Sequence, residues 1–147
     1  VFKKAVLAFL LLPGVVAFLA PAGWVVARGL EVRWPVGFLL VAQGVCGLLW
    51  CVQDFYVAGK GTLAPWAPPR RLVTIGLYRM SRNPMYVTVT LILLGWAIVF
   101  GSPELLVYAL VVLAAFHLRI VFGEEPWLAK THGDAWARYA LRVRRWL

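Results

Sequence analysis

Four long apolar runs alternate with short polar turns or strongly basic stretches along the chain. The first covers about residues 5–27 and is interrupted by Pro13, Gly14, Pro21 and Gly23, a pattern that predicts a kinked helix. A turn carrying Arg28, Glu31, Arg33 and Trp34 leads to a second run over about residues 35–58. The third covers 84–100 and the fourth 103–122. A helix needs roughly 20 apolar residues to cross a hydrocarbon core, so each run reads as a span. The pattern predicts an all-α integral membrane bundle of about four transmembrane helices in one domain over 1–147, with a loop at 59–83 and a tail at 123–147. Lys3 and Lys4 ahead of an apolar run that ends near Ala20-Pro21-Ala22 resemble a signal sequence, but apolar character continues to Val26, and the segment is read as the first span.

The tight turn Gly101-Ser102-Pro103-Glu104 predicts a helical hairpin between the third and fourth runs. Ser102 suits the cap, Pro103 the first helical position and Glu104 the first turn. In the tail, Trp136, Tyr139, Val143 and Trp146 share one helical face, and Arg138, Arg142 and Arg145 the other. That pattern predicts an amphipathic helix lying in the membrane interface with its rings among the headgroups. The loop is long for a connector, and its Trp66, Leu72, Val73, Ile75, Leu77 and Tyr78 predict that it packs on something.

Composition supports the membrane reading. The 147 residues are 63% hydrophobic and 14% charged, more apolar surface than so small a soluble domain can bury. The net charge is +9, which in a soluble chain would suggest nucleic acid. Here twelve of the basic residues lie at the first run's start, in the loop and in the tail, against Arg28 and Arg33 on the other side. The positive-inside rule then puts both termini and the loop in the cytoplasm, in a multi-pass protein of the inner (cytoplasmic) membrane, with membrane lipids rather than nucleic acid as partners. Cys46 and Cys51 sit on different faces of one helix and read as free thiols, with no metal site evident.

Polar groups in or beside spans are costly and therefore informative. On the second run Gln43, Gly47, Trp50 and Asp54 fall on one face, read as packing, with Asp54 open to either reading. His117 and Glu124 are seven apart and share a face, which reads equally as a hydrogen-bonded structural His and as a common polar cavity, while Arg119 points elsewhere and can snorkel to the cytoplasm. Glu124-Glu125-Pro126 reads either as a ligand pole or as a salt-bridged helix start. Arg82-Asn83-Pro84-Met85-Tyr86 opens the third run, and Asn83 reads equally as a helix cap and as a ligand contact.

Taken in order, Gly76-Leu77-Tyr78, Arg82-Asn83-Pro84-Met85-Tyr86, an apolar hairpin, Glu124-Glu125-Pro126 with Leu128, and Gly133, Trp136, Tyr139 and Val143-Arg144-Arg145 resemble the C-terminal signature of integral membrane methyltransferases. These include the isoprenylcysteine carboxyl methyltransferases and the phosphatidylethanolamine (phospholipid) N-methyltransferases. The resemblance covers about residues 59–147. It implies S-adenosylmethionine as cofactor, bordered by Arg82, Asn83, Pro84, Tyr86, His117, Glu124 and Glu125. It also implies a lipid-like methyl acceptor reached from the bilayer. Many carboxyl methyltransferases carry His where this chain has Asn83. The Asn-Pro-Met-Tyr form and Leu94-Gly95-Trp96-Ala97-Ile98 are closer to the phospholipid enzymes, and the Gly133-to-Trp146 tail to the carboxyl enzymes.

Methyl transfer from a sulfonium is an in-line displacement, so the protein must align two reactants and exclude water. Within that implied chemistry Glu124, His117 and Arg138 are the catalytic candidates. A glutamate or His117 would take a proton from an amine acceptor, and Arg138, with Arg142 on the same tail face, would meet a carboxylate or anionic headgroup. Two other classes fit the composition: a non-catalytic membrane scaffold or lipid-binding protein, and a nicotinamide-dependent membrane reductase, which the short chain disfavours.

Overall fold

Glycines on the second and third apolar runs set the central packing. The computed structural model describes residues 10–59 and 71–147; Lys3, Lys4, Lys60, Trp66 and Arg70 lie outside them. Helix α1 (Ala20–Arg28) is preceded by wider π-type turns over Leu10–Leu19 that contain Pro13, which gives no N–H to the helical ladder. Helix α2 (Gly37–Asp54) crosses α3 (Pro84–Phe100) almost backbone to backbone. A Cβ placed on Gly37 would lie 2.7 Å from the Gly95 carbonyl oxygen, and one on Gly44 2.7 Å from that of Thr88. Small residues permit such approach, and in lipid this packing is a main source of helix association.

The crossing corrects one expectation. Gln43 and Trp50 are turned outward on α2, while Gly44, Leu48, Cys51 and Asp54 are buried. The face chosen is the one whose glycines match Gly95 and Thr88 on α3. Both cysteines are free, Cys46 exposed and Cys51 buried.

Helix α4 (Pro103–Arg119) returns from α3 through the expected hairpin. Gly101 adopts φ +56 at the end of α3, the left-handed turn that glycine makes without a Cβ penalty. The Ser102 hydroxyl oxygen then accepts from the Leu105 N–H at 3.3 Å, capping α4. Tyr108 on α4 donates to the Val16 carbonyl at 2.8 Å, tying α4 to the turns before α1. Ala17, Leu48, Val89, Ile92, Leu93 and Ala109 form the core between these elements.

Among the described residues there is no strand, and two continuous helices are long and apolar enough to cross a membrane, Gly37–Ala58 and Pro103–His132; Pro13–Arg28 and Pro84–Phe100 are shorter apolar helices. The outward faces of the two long helices carry Leu39, Leu49, Val107, Leu110, Val111 and Leu118. A protein with its large apolar side chains outside and its glycines inside is built for lipid contact.

Beyond Arg119 the chain widens into a π-type stretch (Ile120–Glu124), then forms α5 (Glu125–His132) and α6 (Asp134–Arg142). The tail forms a helix over Asp134–Arg142, with its aromatic face turned to the protein rather than to headgroups. Trp136 and Tyr139 are buried, with Trp136 beneath the Arg82 guanidinium and the Tyr139 hydroxyl donating to the Tyr78 carbonyl at 2.7 Å. Val143 is extended and ends the helix, so Trp146 leaves the face assigned to it by helical spacing.

Candidate functional site

Two neighbouring carboxylates, Glu124 and Glu125, organise the end of α4. The Glu124 Oε1 accepts from the Arg119 Nε–H at 2.9 Å and from the Tyr86 hydroxyl. Tyr86 sits near the start of α3 and packs its ring on Phe116 of α4, with centroids 4.4 Å apart. The widened turn explains the partner. In a regular α-helix residues five apart diverge, whereas i→i+5 turns over Ile120–Glu124 return Glu124 to Arg119. Arg119 therefore does not leave for the interface, as spacing alone suggested, and His117 loses its phase with Glu124. Among the described residues no hydrogen bond joins His117 to Glu124; the His117 ring is exposed and stacks on Trp146, 6.1 Å between centroids.

Glu125 is flanked by two guanidinium groups. Arg82 Nη1 lies 3.3 Å from Oε1, and Arg145 donates through Nε (3.0 Å) and Nη2 (2.8 Å) to the two oxygens. Two cations on one carboxylate leave a positive surplus. The bidentate bond to Glu125 raises the Arg145 guanidinium above its ordinary value, so it stays charged. Arg82 is mostly buried, lies over the Trp136 ring at 5.5 Å, and its buried Nε–H has no partner among the described residues.

The same motif clamps the tail. The Arg82 N–H donates to the Arg144 carbonyl at 2.8 Å, and the Arg145 carbonyl accepts from Asn83 Nδ2 at 2.9 Å and from the Ser81 hydroxyl at 3.3 Å. Asn83 occupies the cap position of α3, but its side chain makes no cap bond; Pro84 does take the first helical turn. Of the two open readings for Asn83, the geometry realises neither in simple form: the amide holds main chain from 62 residues away.

Arg138 is exposed on α6, and its carbonyl accepts from Arg142 Nε at 3.4 Å. Among the described residues no hydrogen bond or ion pair links its side chain to Glu124 or Glu125. The structure thus brings together Arg82, Asn83, Pro84, Tyr86, Glu124 and Glu125, places His117 in the lining of an apolar groove between α3 and α4, and leaves Arg138 apart.

Sequence reasoning missed Arg119, Ser81 and Trp146 as parts of this region. Gly123 inside an apolar run hinted at irregular turns; the clamp left no signal because it acts through carbonyls. Asp54 resolves to a buried position at the end of α2, packed against Gly76, with no partner for Oδ2 among the described residues. Gly76 has φ +54, and any Cβ there would collide with the Asp54 carboxylate. Burial holds the Tyr78 phenol above it well over its ordinary value.

An uncharacterized protein of Haemophilus influenzae is 32% identical over 63 residues, which are the whole of that protein and 43% of this chain. No solved structure matches. The phospholipid methyltransferase family matches residues 32–135, from the turn before α2 to the start of α6, and the chain belongs to that family of membrane methyltransferases.

Proposed function

We propose that the chain is an S-adenosylmethionine-dependent methyltransferase of isoprenylcysteine carboxyl methyltransferase type, acting on a lipid-like acceptor at the cytoplasmic face of the membrane. The observation that carries this reading is the buried, unpartnered Nε–H of Arg82 inside a cluster with surplus positive charge. An orphaned buried donor costs about 1–3 kcal/mol, and the carboxylate of the cofactor would relieve it. Family membership supplies the reaction class.

The residues present fit the cofactor's charges. Arg82 would hold a carboxylate, and Glu124 and Glu125 would face its cationic groups, with Asn83, Pro84, Tyr86 and His117 bordering the pocket. When bound, the cofactor supplies an activated methyl on a sulfonium. The chain's own residues orient, exclude water and manage protons. Tyr86 and Arg119 hold the Glu124 carboxylate in one orientation, while Phe116 packs on Tyr86 and Trp136 lies beneath Arg82. A carboxylate acceptor is already nucleophilic and needs only placement, for which Arg138 on the exposed face of α6 would capture the headgroup.

A second reading, transfer to a phospholipid amine, is favoured by His117. Among the described residues its exposed ring has no carboxylate partner, and it lines the groove, where it would take a proton from an ammonium. The topology completing either reading has four spans, α1 and α3 crossing beside the two longer helices, with both termini and the basic loop cytoplasmic.

Titration of purified protein with S-adenosylmethionine and with NADPH separates the reaction classes. Binding of the first alone is expected, weakened about 10- to 150-fold by Arg82→Gln, as loss of a charge-assisted contact implies. Absence of S-adenosylmethionine binding would sink the reading. Labelled-methyl transfer to a prenylcysteine or to phosphatidylethanolamine then decides the acceptor, the amine reaction alone falling steeply in acid.

A further inference from the structure

Helix α2 turns a heptad stripe away from the rest of the molecule. Leu39, Gln43, Cys46, Trp50 and Gln53 follow one another at intervals of four, three, four and three, and all are exposed. Gly37, Gly44, Leu48 and Cys51 are buried on the opposite side, where Gly37 and Gly44 meet α3. Alternating steps of four and three make the seam of a left-handed helix pair, in which each position meets its equivalent on a parallel partner. From Leu39 to Gln53 the stripe rises about 21 Å, most of a hydrocarbon core. We infer that this stripe is the interface between two copies of the chain, α2 packed in parallel on α2 about a two-fold axis along the membrane normal, with the two Gln43 amides bonded to each other. The inference goes beyond the methyl-transfer reaction and does not depend on it. It needs α2 to cross a bilayer, for which the helix is long and apolar enough.

Gln43 carries the argument. It lies six residues, about 9 Å, inside the start of the apolar stretch Gly37–Ala58. Its amide has donors and an acceptor that hydrocarbon cannot satisfy. The side chain lacks the length by which Lys and Arg snorkel to water. Among the described residues no hydrogen bond reaches it. The close glycine packing on the far side of α2 fixes its outward direction. Ester and headgroup acceptors of the lipid lie at the interface, outside the hydrocarbon core that surrounds this position.

A second copy supplies the match. An amide both donates and accepts, so two of them related by a two-fold axis satisfy each other reciprocally, as an isologous interface requires. In lipid, such polar side chains bond across helices. Every copy of one chain inserts in the same direction, so identical stripes are already parallel. Ala42 and Cys46, small and exposed beside Gln43, let the two backbones approach. A lone polar residue within an otherwise apolar part of a seam also fixes its register, because any slip leaves both amides unpaired.

The test reconstitutes the whole protein in phosphatidylcholine vesicles at two lipid-to-protein ratios. Copper-phenanthroline oxidation should give a disulfide-linked dimer through exposed Cys46, abolished by Cys46→Ala and retained in Cys51→Ala. With both native cysteines replaced by alanine, Leu39→Cys and Trp50→Cys should cross-link. Leu49→Cys on α2 and Leu110→Cys on α4, exposed but off the stripe, should not. Energy transfer between separately labelled chains gives the dissociation constant, which Gln43→Leu should raise about 3- to 30-fold. Gln43→Asn keeps the amide and should raise it less. Because Gln43 faces outward, Gln43→Leu should leave the melting temperature of the monomer unchanged, which separates lost association from lost fold. Equal cross-linking at Cys46 and at Leu110→Cys, or equal energy transfer with and without Gln43, would overturn the pairing. Donor quenching that curves rather than rises linearly with the acceptor fraction would mean three or more copies and overturn the two-fold axis.

Discussion

Glu125→Gln gives the sharpest test of the arginine-flanked pole. The substitution keeps the shape of the side chain and removes its charge, leaving Arg82 and Arg145 facing a neutral amide. The two partners lose unequal amounts. The Arg82 and Glu125 side chains are 14% and 15% exposed, so their pair belongs to the buried class, where loss of one partner costs about 3–5 kcal/mol. Arg145 is 36% exposed, and water screens its share down toward about 1 kcal/mol. The orphaned Nε–H of Arg82 means that this guanidinium already lacks one partner, so the full penalty falls on what remains. The expected loss is about 3 kcal/mol, or a drop in melting temperature of about 6–12 °C for a chain of this size. Thermal unfolding in detergent is the assay, with Glu31→Gln, on the exposed turn before α2, as control. Double-mutant cycles with Arg82→Gln and with Arg145→Gln should return the larger coupling for Arg82. If Glu125→Gln melts with the control and neither cycle shows coupling, the pole is a solvated salt bridge and the site argument fails.

Gly95→Ala should destabilise by about 1–3 kcal/mol, because its Cβ would meet the Gly37 carbonyl oxygen at 2.9 Å, while Gly23→Ala, with open space around it, should be close to neutral in the same melt. Tyr139→Phe should cost about 1–3 kcal/mol at neutral pH by stranding the Tyr78 carbonyl. Burial holds the Tyr139 phenol above its ordinary value, so the folded form keeps its proton where the unfolded form ionises; stability present below pH of about 10 is lost as pH rises beyond it, and pH-resolved melts of Tyr139→Phe should show a shallower alkaline loss. For topology, Glu104→Cys in a Cys46→Ala background should react with impermeant maleimide from the side opposite to Lys130→Cys; labelling of both from one side would refute the four-span arrangement.

The apolar helices and the hairpin were legible because their causes are local. Apolar runs of membrane length, Gly101 ending one helix and Ser102-Pro103 starting the next act within a few residues. The packing face of α2 was less so. Helical spacing groups Gln43 with Trp50 as readily as Gly44 with Leu48 and Cys51, and nothing on α2 itself ranks the two stripes. The choice is made by Gly95 and Thr88 on the partner helix, where backbone meets backbone. A reading that paired the glycines of both runs would have found it.

The site was half legible for a related reason. Charge and order picked out Arg82, Glu124 and Glu125, but their partners depend on a change of helical pitch. With 3.6 residues per turn, His117 faces Glu124 and Arg119 faces away. The wider turns over Ile120–Glu124 exchange those roles, so one local irregularity re-pairs three ionisable groups. The same logic divides the basic residues. An excess of cations near a membrane is explained in bulk by orientation and headgroup attraction, and exposed Arg138, Arg142 and Arg144 fit that account. Arg82, Arg119 and Arg145 do not, since each is bonded to a particular carboxylate, and Arg82 is largely withdrawn from water. Arg82 is kept from the headgroups and, among the described residues, left with a donor to spare, a distinction that net charge alone does not carry.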